Sequence, residues 1–443
     1  MQRNSGKQAL VLGAGVTGIA TARFLLGQGF VVTVADNRSQ PPGKAELAKL
    51  LPAEQLSFGV SLEGLPVGDL DCLVVSPGLP RSLGLLEQAR NSGVTPVSDI
   101  ELFLQQADAP VIAVTGTNGK STVVTMIEHL LRVAGKRVLA GGNLGPAALD
   151  LLRQPTPDFY LLELSSFQLE WLERPGFAVA MITNISPDHL DRYDTFADYC
   201  VAKAKILGSA DRVVLNLDDV DCRKLAMTLP ATQQVDWFGS EETSTGVTRV
   251  PVAELPAASG LLGLHNRINA QAALTVVNAL ELAAGLPANP WGGFQGLAHR
   301  LQLVTRIDEV LWLNDSKATN VGATLAAAEG LTGQNGARLV LILGGEGKGQ
   351  DFAPLQRLAP QLRAVIVIGR DGARIGQLFN GLVPVLKAMT MTEVVAIAAN
   401  AAEAGDMVLL SPACASQDQY RDYQQRGDIF VRAVMSCADE VKG

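Results

Sequence analysis

The chain has 443 residues, a length that at about 150 residues per domain points to three domains. Hydrophobic residues make up 47% of it, which excludes disorder for the bulk of the chain. A net charge of −8 without any basic block disfavours a nucleic-acid binder that works by neutralising phosphates, yet leaves room for a compact anionic substrate. The five cysteines (Cys72, Cys200, Cys222, Cys414, Cys437) show no metal-type or C-x-x-C spacing and read as reduced thiols. No stretch approaches the roughly 18 apolar residues of a membrane span. The first 22 residues mimic a leader, with Arg3 and Lys7 before an apolar run to Ala20-Thr21-Ala22, but Gly13, Gly15 and Gly18 break that run. The expectation is a cytoplasmic protein without membrane insertion.

Short β-branched runs alternate with helical patterns from end to end, the pattern of parallel α/β sheets. Strands are expected at Ala9–Leu12, Val31–Ala35, Cys72–Val75, Val111–Thr115, Tyr160–Glu163, Val179–Ile182, Val213–Asn216, Val310–Leu313, Leu339–Leu343, Val365–Ile368 and Met407–Leu410. Seams fall near residue 99, after a hairpin-like Pro96-Val97-Ser98-Asp99 and before a helix Ile100–Gln106, and near residue 301, after the Gly/Pro-rich stretch Pro287–Gly296. The division is 1–98, 99–301 and 302–443. In open α/β sheets ligands bind beyond the carboxyl ends of the strands, so the loops there are the places to look.

The first such loop is Gly13-Ala14-Gly15-Val16-Thr17-Gly18, with Asp36 closing the next strand. Glycines allow a tight turn and close backbone approach, and the following helix offers N–H groups to a diphosphate. A nicotinamide dinucleotide, a substrate's nucleotide diphosphate and a plain βα turn all satisfy this pattern. Ser76-Pro77-Gly78 ends a later strand and lines the same crevice.

The second is Gly116-Thr117-Asn118-Gly119-Lys120-Ser121-Thr122, after a buried strand and before an amphipathic helix. Its backbone N–H groups cradle phosphates, Lys120 reaches the terminal ones, and the Ser121 or Thr122 hydroxyl ligates Mg2+. It is a shortened P-loop, with two residues rather than four between its first glycine and the Gly-Lys pair. Glu163 ends a strand, where a buried carboxylate calls for a cation. His189, one of four histidines, sits in the loop Thr183–Tyr193. Thr195 and Asp198 form a capping box for a helix carrying Lys203 and Lys205. Three polar loops at later strand ends (Asn314–Asn320, Gly344–Lys348, Ser411–Ser416) suit a small dicarboxylate.

The string Thr115–Thr122 resembles the ATP loop of the Mur ligase family, ATP-dependent amide-forming enzymes of peptidoglycan precursor synthesis, and the resemblance extends over all three domains. It implies a Rossmann-like N-terminal domain for the UDP substrate, a central P-loop-type parallel-sheet ATPase domain and a Rossmann-like C-terminal domain for the amino acid. For metals it implies Mg2+ held by Ser121, Glu163, His189 and a carbamylated Lys203. Lys120, His189 and Lys203 become catalytic; Gly116 to Thr122, Asn266, Asn269, Arg300, Asp315 and Lys317 hold ATP. Val16, Thr17, Gly18, Asp36, Arg38, Gly78 and, in Gly141–Gly145, Asn143 hold the UDP-muramoyl part.

The strings Asn314–Asn320 and Ser411–Ser416 are similar to those of members that add D-glutamate to UDP-N-acetylmuramoyl-L-alanine, with Thr319, Lys348, Ser416 and Tyr423 around D-glutamate. Tyr423 departs from an expected Phe, and Glu346 from an expected Asp. The implied partners are small molecules, and the implied state is a monomer. A dehydrogenase leaves the Lys120 loop without work, a nucleotide switch leaves the C-terminal loops without work, and a folate-polyglutamate ligase leaves residues 1–98 unexplained. Another amino-acid ligase of the same family is the nearer alternative.

Overall fold

A computed structural model describes residues 6–173, 175–189, 192–239, 264–294, 296–331 and 337–442. The first sheet has the order β3-β2-β1-β4-β5, all parallel, from β1 (Gln8–Leu12), β2 (Val31–Asp36), β3 (Leu56–Phe58), β4 (Cys72–Val75) and β5 (Pro96–Val97). The second, also parallel, has the order β11-β10-β9-β6-β8-β7. Its strands are β6 (Val111–Thr115), β7 (Val138–Gly142), β8 (Phe159–Glu163), β9 (Gly176–Ile182), β10 (Ser209–Asn216) and β11 (Val235–Phe238). The third has the order β12-β13-β17-β14-β15-β16. It comprises β12 (Gln302–Ile307), β13 (Val310–Asn314), β14 (Leu339–Gly344), β15 (Leu362–Ile368), β16 (Val385–Lys387) and β17 (Met407–Leu410). Only β12 runs antiparallel to its neighbour.

All eleven expected strands are present, most extended by a residue or more. Those that the sequence pattern did not reveal (β3, β5, β7, β11, β12 and β16) lie at or next to sheet edges, where burial on both faces no longer imposes a continuous apolar run. The turn at 96–99 is no hairpin, because Pro96 and Val97 pair in parallel with Leu73 and Val74. Ser98 then caps the helix Asp99–Gln106 by accepting from the Glu101 N–H. The Thr195/Asp198 capping box forms as expected at the helix Phe196–Ala204.

The described residues make two compact units. One holds the first two sheets and residues 272–290; the other holds residues 264–271, Trp291 and the chain beyond it, with the third sheet. In the first unit, Ala9, Val11, Val32 and Val34 pack under the helix Val16–Gly27 on one face of the first sheet, and Leu10, Leu12, Leu73 and Val75 pack on the other. In the second, Leu341, Leu343 and Leu409 face one core, and Val340, Ile342 and Leu410 the opposite one. Both glycine loops and the loops after β13, β14 and β17 lie at the carboxyl ends of these doubly buried strands.

Gly18 shows how tightly the first of these loops is built. A Cβ there would overlap the Gly13 carbonyl oxygen, so helix and loop approach only with no side chain between them. Gly18→Ala, which in an open helix gains propensity, is expected here to lower unfolding free energy by about 1–3 kcal/mol from overpacking, measured by denaturant titration.

Candidate active site

The order β3-β2-β1-β4-β5 reverses direction between β1 and β4, and the crevice there is rimmed by the loops after β1, β2 and β4. Gly13, Gly15, Val16, Thr17, Asp36, Arg38, Ser76, Pro77 and Gly78 line a cleft of about 730 Å3 that continues to Gly142, Asn143, Gly145, Ser165, Phe167 and Gln168 of the second sheet. Six expected substrate residues, from Val16 to Asn143, therefore share one cavity. Gly18 is buried behind it and is not among its lining residues.

Asp36 is 2% exposed, and its carboxylate is well occupied. Arg38 donates through Nε to Oδ1 at 2.8 Å and through Nη2 to Oδ2 at 2.7 Å; the Ala14 and Arg38 N–H groups add bonds of 2.8 and 2.9 Å. The Arg38 guanidinium, with help from those amides, overrides the cost of burial and holds the carboxyl down to about 2. Asp36 thus braces the glycine loop and aims Arg38, itself half exposed, along the cleft wall.

The second site forms around the carboxyl ends of β9, β6, β8 and β7. Gly116 has φ +149°, and a Cβ on it would overlap the Thr183 hydroxyl after β9. Gly119, at φ +80°, caps the helix Lys120–Val133. The loop is pinned from the β9 side: Asn184 accepts from the Asn118 N–H at 2.9 Å, and its carbonyl accepts from the Thr117 N–H at 2.9 Å. The Asn118 carbonyl accepts from Thr183 Oγ1 at 2.7 Å, and Thr117 and Tyr199 share a hydrogen bond of 3.0 Å. Ser121 is buried and Thr122 half-buried at the first turn of the helix.

Two lysines converge on this loop. Lys120 Nζ donates to the Gly116 carbonyl at 2.8 Å and the Thr117 carbonyl at 3.0 Å, and Lys203 Nζ donates to the same Gly116 oxygen at 2.8 Å. Lys203 is 2% exposed, and burial, with the neighbouring Lys120 charge, brings its ammonium down to about 7. Lys205, by contrast, donates to the Glu170 carbonyl at 2.6 Å, away from the loop.

Glu163 is 1% exposed; its Oε1 accepts from Asn143 Nδ2 at 2.6 Å, while Oε2 is buried with no hydrogen-bond partner among the described residues. An orphaned carboxylate oxygen of this kind fits a cation. Among the described residues no three His, Cys, Asp or Glu side chains form a ready-made metal cluster, so a cation held at Glu163 would need oxygens from outside such a set. His189 is half exposed in a left-handed conformation (φ 54°), with its ring 4.8 Å from that of Phe167.

In the second unit, Asn266 is buried and Asn269 half-buried on the helix Leu264–Ala279. Arg300 is half-buried between His299 and Leu301, both at positive φ. The three C-terminal loops do converge. Glu346 and Ala415 exchange backbone hydrogen bonds of 2.9 and 3.0 Å, and Ser411 Oγ donates to Asp315 Oδ2 at 2.9 Å. Ser416 is buried, Lys348 exposed at φ 48°, and the Thr319 carbonyl accepts from Gln350 at 3.4 Å. Lys317 Nζ lies 4.0 Å from the Tyr423 ring centre, a contact that Phe supports equally, so the departure there leaves this geometry unaffected.

Two residues that the sequence reading passed over hold these loops. Asn184 lies in the loop Thr183–Tyr193, but only the fold reveals that it supports the loop Gly116–Thr122. Arg426, 2% exposed, donates to Ser316 Oγ at 2.9 Å, the Ser316 carbonyl at 2.8 Å and the Cys414 carbonyl at 3.1 Å. Burial brings its guanidinium down to about 10.

Three family models match the chain: a Mur ligase MurD-like N-terminal domain over residues 7–98, a Mur ligase middle domain over 114–277 and a Mur ligase glutamate ligase domain over 299–414. The chain belongs to the Mur ligase family and is a ligase. Among its relatives, UDP-N-acetylmuramoylalanine–D-glutamate ligase of Nitrosococcus oceani is 42% identical over 99% of each chain. The enzyme of that name from Pseudomonas putida is 41% identical over 97% of each. Among solved structures, the MurF ligase of Thermotoga maritima with ADP has a TM-score of 0.59 at 15% identity, covering 98% of this chain and 97% of that one. The UDP-N-acetylmuramate–alanine ligase of the same organism has a TM-score of 0.56 at 18% identity, covering 98% and 100%. These likenesses show a shared fold.

Asp315 generates a pH dependence. It is 8% exposed, accepts from the Leu301 N–H at 3.2 Å and from Ser411, and burial pushes its carboxyl up to about 7. A carboxyl raised on folding binds its proton more tightly in the native state. Its contribution is therefore complete below the unfolded value of 3.8 and is lost as pH rises through about 7. Denaturant unfolding between those limits is expected to show stability falling with pH, and Asp315→Asn to flatten that slope.

Proposed function

We propose that this protein joins D-glutamate to UDP-N-acetylmuramoyl-L-alanine at the expense of ATP, releasing ADP and phosphate, as a step in making cell-wall peptidoglycan precursors. The full-length match to D-glutamate ligases carries the reading. The division into 1–98 for the UDP substrate, 99–301 for ATP and 302–443 for the amino acid is supported by one sheet lying within each range.

The UDP-muramoyl part occupies the 730 Å3 cleft, with Val16, Thr17 and Gly78 lending backbone, and Arg38 and Asn143 polar side chains. Gly18 contributes by letting the loop close and Asp36 by holding it. ATP phosphates lie on the loop Gly116–Thr122, where they displace the Gly116 and Thr117 carbonyls as partners of Lys120. Asn266, Asn269 and Arg300 are assigned to adenine and phosphate, Lys317 to phosphate and Asp315 to ribose. As Asp315 is nearly enclosed, it serves by ordering the Leu301 N–H and the Ser411 hydroxyl as much as by direct contact.

A carboxylate is a poor electrophile, so the alanyl carboxylate first attacks the γ-phosphorus to give an acyl phosphate and ADP. Lys120 offsets the charge that gathers during this transfer. The D-glutamate amine, held by Thr319, Lys348, Ser416 and Tyr423, then attacks the acyl carbon, and the tetrahedral intermediate expels phosphate. Ser121 and Glu163 would hold one Mg2+, and His189 with a carbamylated Lys203 a second, supplying further neutralisation of phosphate charge. The carbamate is supported by the lowered Lys203 ammonium, because a neutral amine is the form that adds carbon dioxide. The protein is assigned to the cytoplasm, where its nucleotide substrates are made, and acts as a monomer. No described helix is long and apolar enough to cross a membrane.

The deciding experiment measures ADP release with UDP-N-acetylmuramoyl-L-alanine, Mg2+ and either glutamate isomer, and weighs the product. Turnover with the D isomer and a mass gain of one glutamyl residue are expected; turnover only with another amino acid would assign the protein to a different branch of the family. Protein equilibrated with 13C-bicarbonate is expected to show a carbamate carbon resonance that Lys203→Arg abolishes.

A further inference from the structure

The wall of the substrate cleft formed by Pro77, Gly78 and Leu79 is held from behind by one side chain with no role so far. Arg192 stands a single turn beyond His189, and its N–H donates to the His189 carbonyl at 2.9 Å. Its guanidinium reaches across to the loop after β4. Nη1 donates to the Gly78 carbonyl at 3.1 Å; Nη2 donates to the Leu79 carbonyl at 2.9 Å, to the Pro77 carbonyl at 3.4 Å and to Glu170 Oε2 at 3.3 Å. The same guanidinium lies 4.9 Å from the Phe167 ring centre. Phe167 lines the cleft and packs on the His189 ring, so one aromatic side chain contacts the cleft, the imidazole and the arginine.

We propose that Arg192 is a positioning residue of the ligase reaction, locking the Pro77–Leu79 wall of the substrate cleft to the Phe167–His189 pair. Through it, a UDP substrate seated against that wall presents its carboxylate at a fixed place relative to the second sheet's loops. This rests on the cleft being the UDP site.

The chemistry suits Arg and not Lys. Only a planar fork with five donors serves three successive carbonyls and a carboxylate while stacking on a ring. Because C=O and N–H point opposite ways in a trans peptide, carbonyls drawn to Arg192 turn the following amide of Gly78 away from it. The wall is thus oriented as well as anchored. Three of the four contacts are to neutral carbonyls, which sets the arrangement apart from a surface ion pair. With Arg192 18% and Glu170 13% exposed, the contacts are largely shielded from water.

The test uses the full chain and compares wild type with Arg192→Met and Arg192→Lys. UDP binding to wild type is measured first by calorimetry, and thermal melting checks that each variant folds. For Arg192→Met, loss of charge-assisted bonds is expected to raise KM for the UDP substrate about tenfold or more, while KM for ATP stays within about twofold. Arg192→Lys, which keeps the charge but serves fewer carbonyls, is expected to fall between, and decides the matter alone if the Met variant does not fold. A variant that folds and shows an unchanged KM for the UDP substrate, or the same rise for ATP as for it, overturns the positioning role. Failure of UDP to bind wild type overturns the reading of the cleft instead, and the proposal with it.

Discussion

Two ammonium groups share one carbonyl oxygen at the centre of this protein: Lys120 and Lys203 both donate to Gly116 at 2.8 Å. Like charges this close repel, and burial of Lys203 adds to the cost. The repulsion shows in the Lys203 ammonium, brought down to about 7, and the carboxylates of Asp188 and Glu163 within electrostatic range partly offset it. The Lys203 amine, the Glu163 carboxylate and the glycine loop Gly116–Thr122 are three parts of one electrostatic arrangement.

That arrangement depends on backbone that only glycine supplies. Gly116 lies so close to Thr183, and Gly142 so close to the Glu163 carbonyl, that a Cβ at either would push apart neighbouring strand ends. The loops can therefore sit at the mouths of four adjacent strands of one sheet, within reach of one another. The first sheet repeats the principle with Gly13 and Gly18, but its polar anchor is Asp36, which spends its charge on Arg38 and Ala14.

The second unit handles burial differently. Its loops after β13 and β17 are joined by hydrogen bonds to Asp315 and Arg426, whose guanidinium has carbonyls and a hydroxyl as partners, and the loop after β14 is joined to the last by the Glu346–Ala415 backbone pair. Here buried charge is distributed over backbone dipoles, which suits loops that must present a fixed polar surface.

The sequence by itself determined the parallel α/β class, the eleven strands whose two buried faces impose apolar runs, and the two glycine loops, because each of these is a local pattern with one physical solution. It also marked Glu163, Lys203 and the C-terminal strings by type, with their roles drawn from a family resemblance. Tertiary structure decided what local pattern cannot encode. The short β5 owes its existence to a strand well before it in the chain, since Pro96 and Val97 pair with Leu73 and Val74. Gly18 is a packing residue rather than a lining one because of where Gly13 turns. Lys203 rather than Lys205 meets the loop Gly116–Thr122 because the helix Phe196–Ala204 delivers one to Gly116 and the 3-10 turn after it sends the other to Glu170. Asn184, Arg192 and Arg426 act through backbone carbonyls and amides of distant loops, contacts that leave no spacing signature because their partners are chosen by the fold.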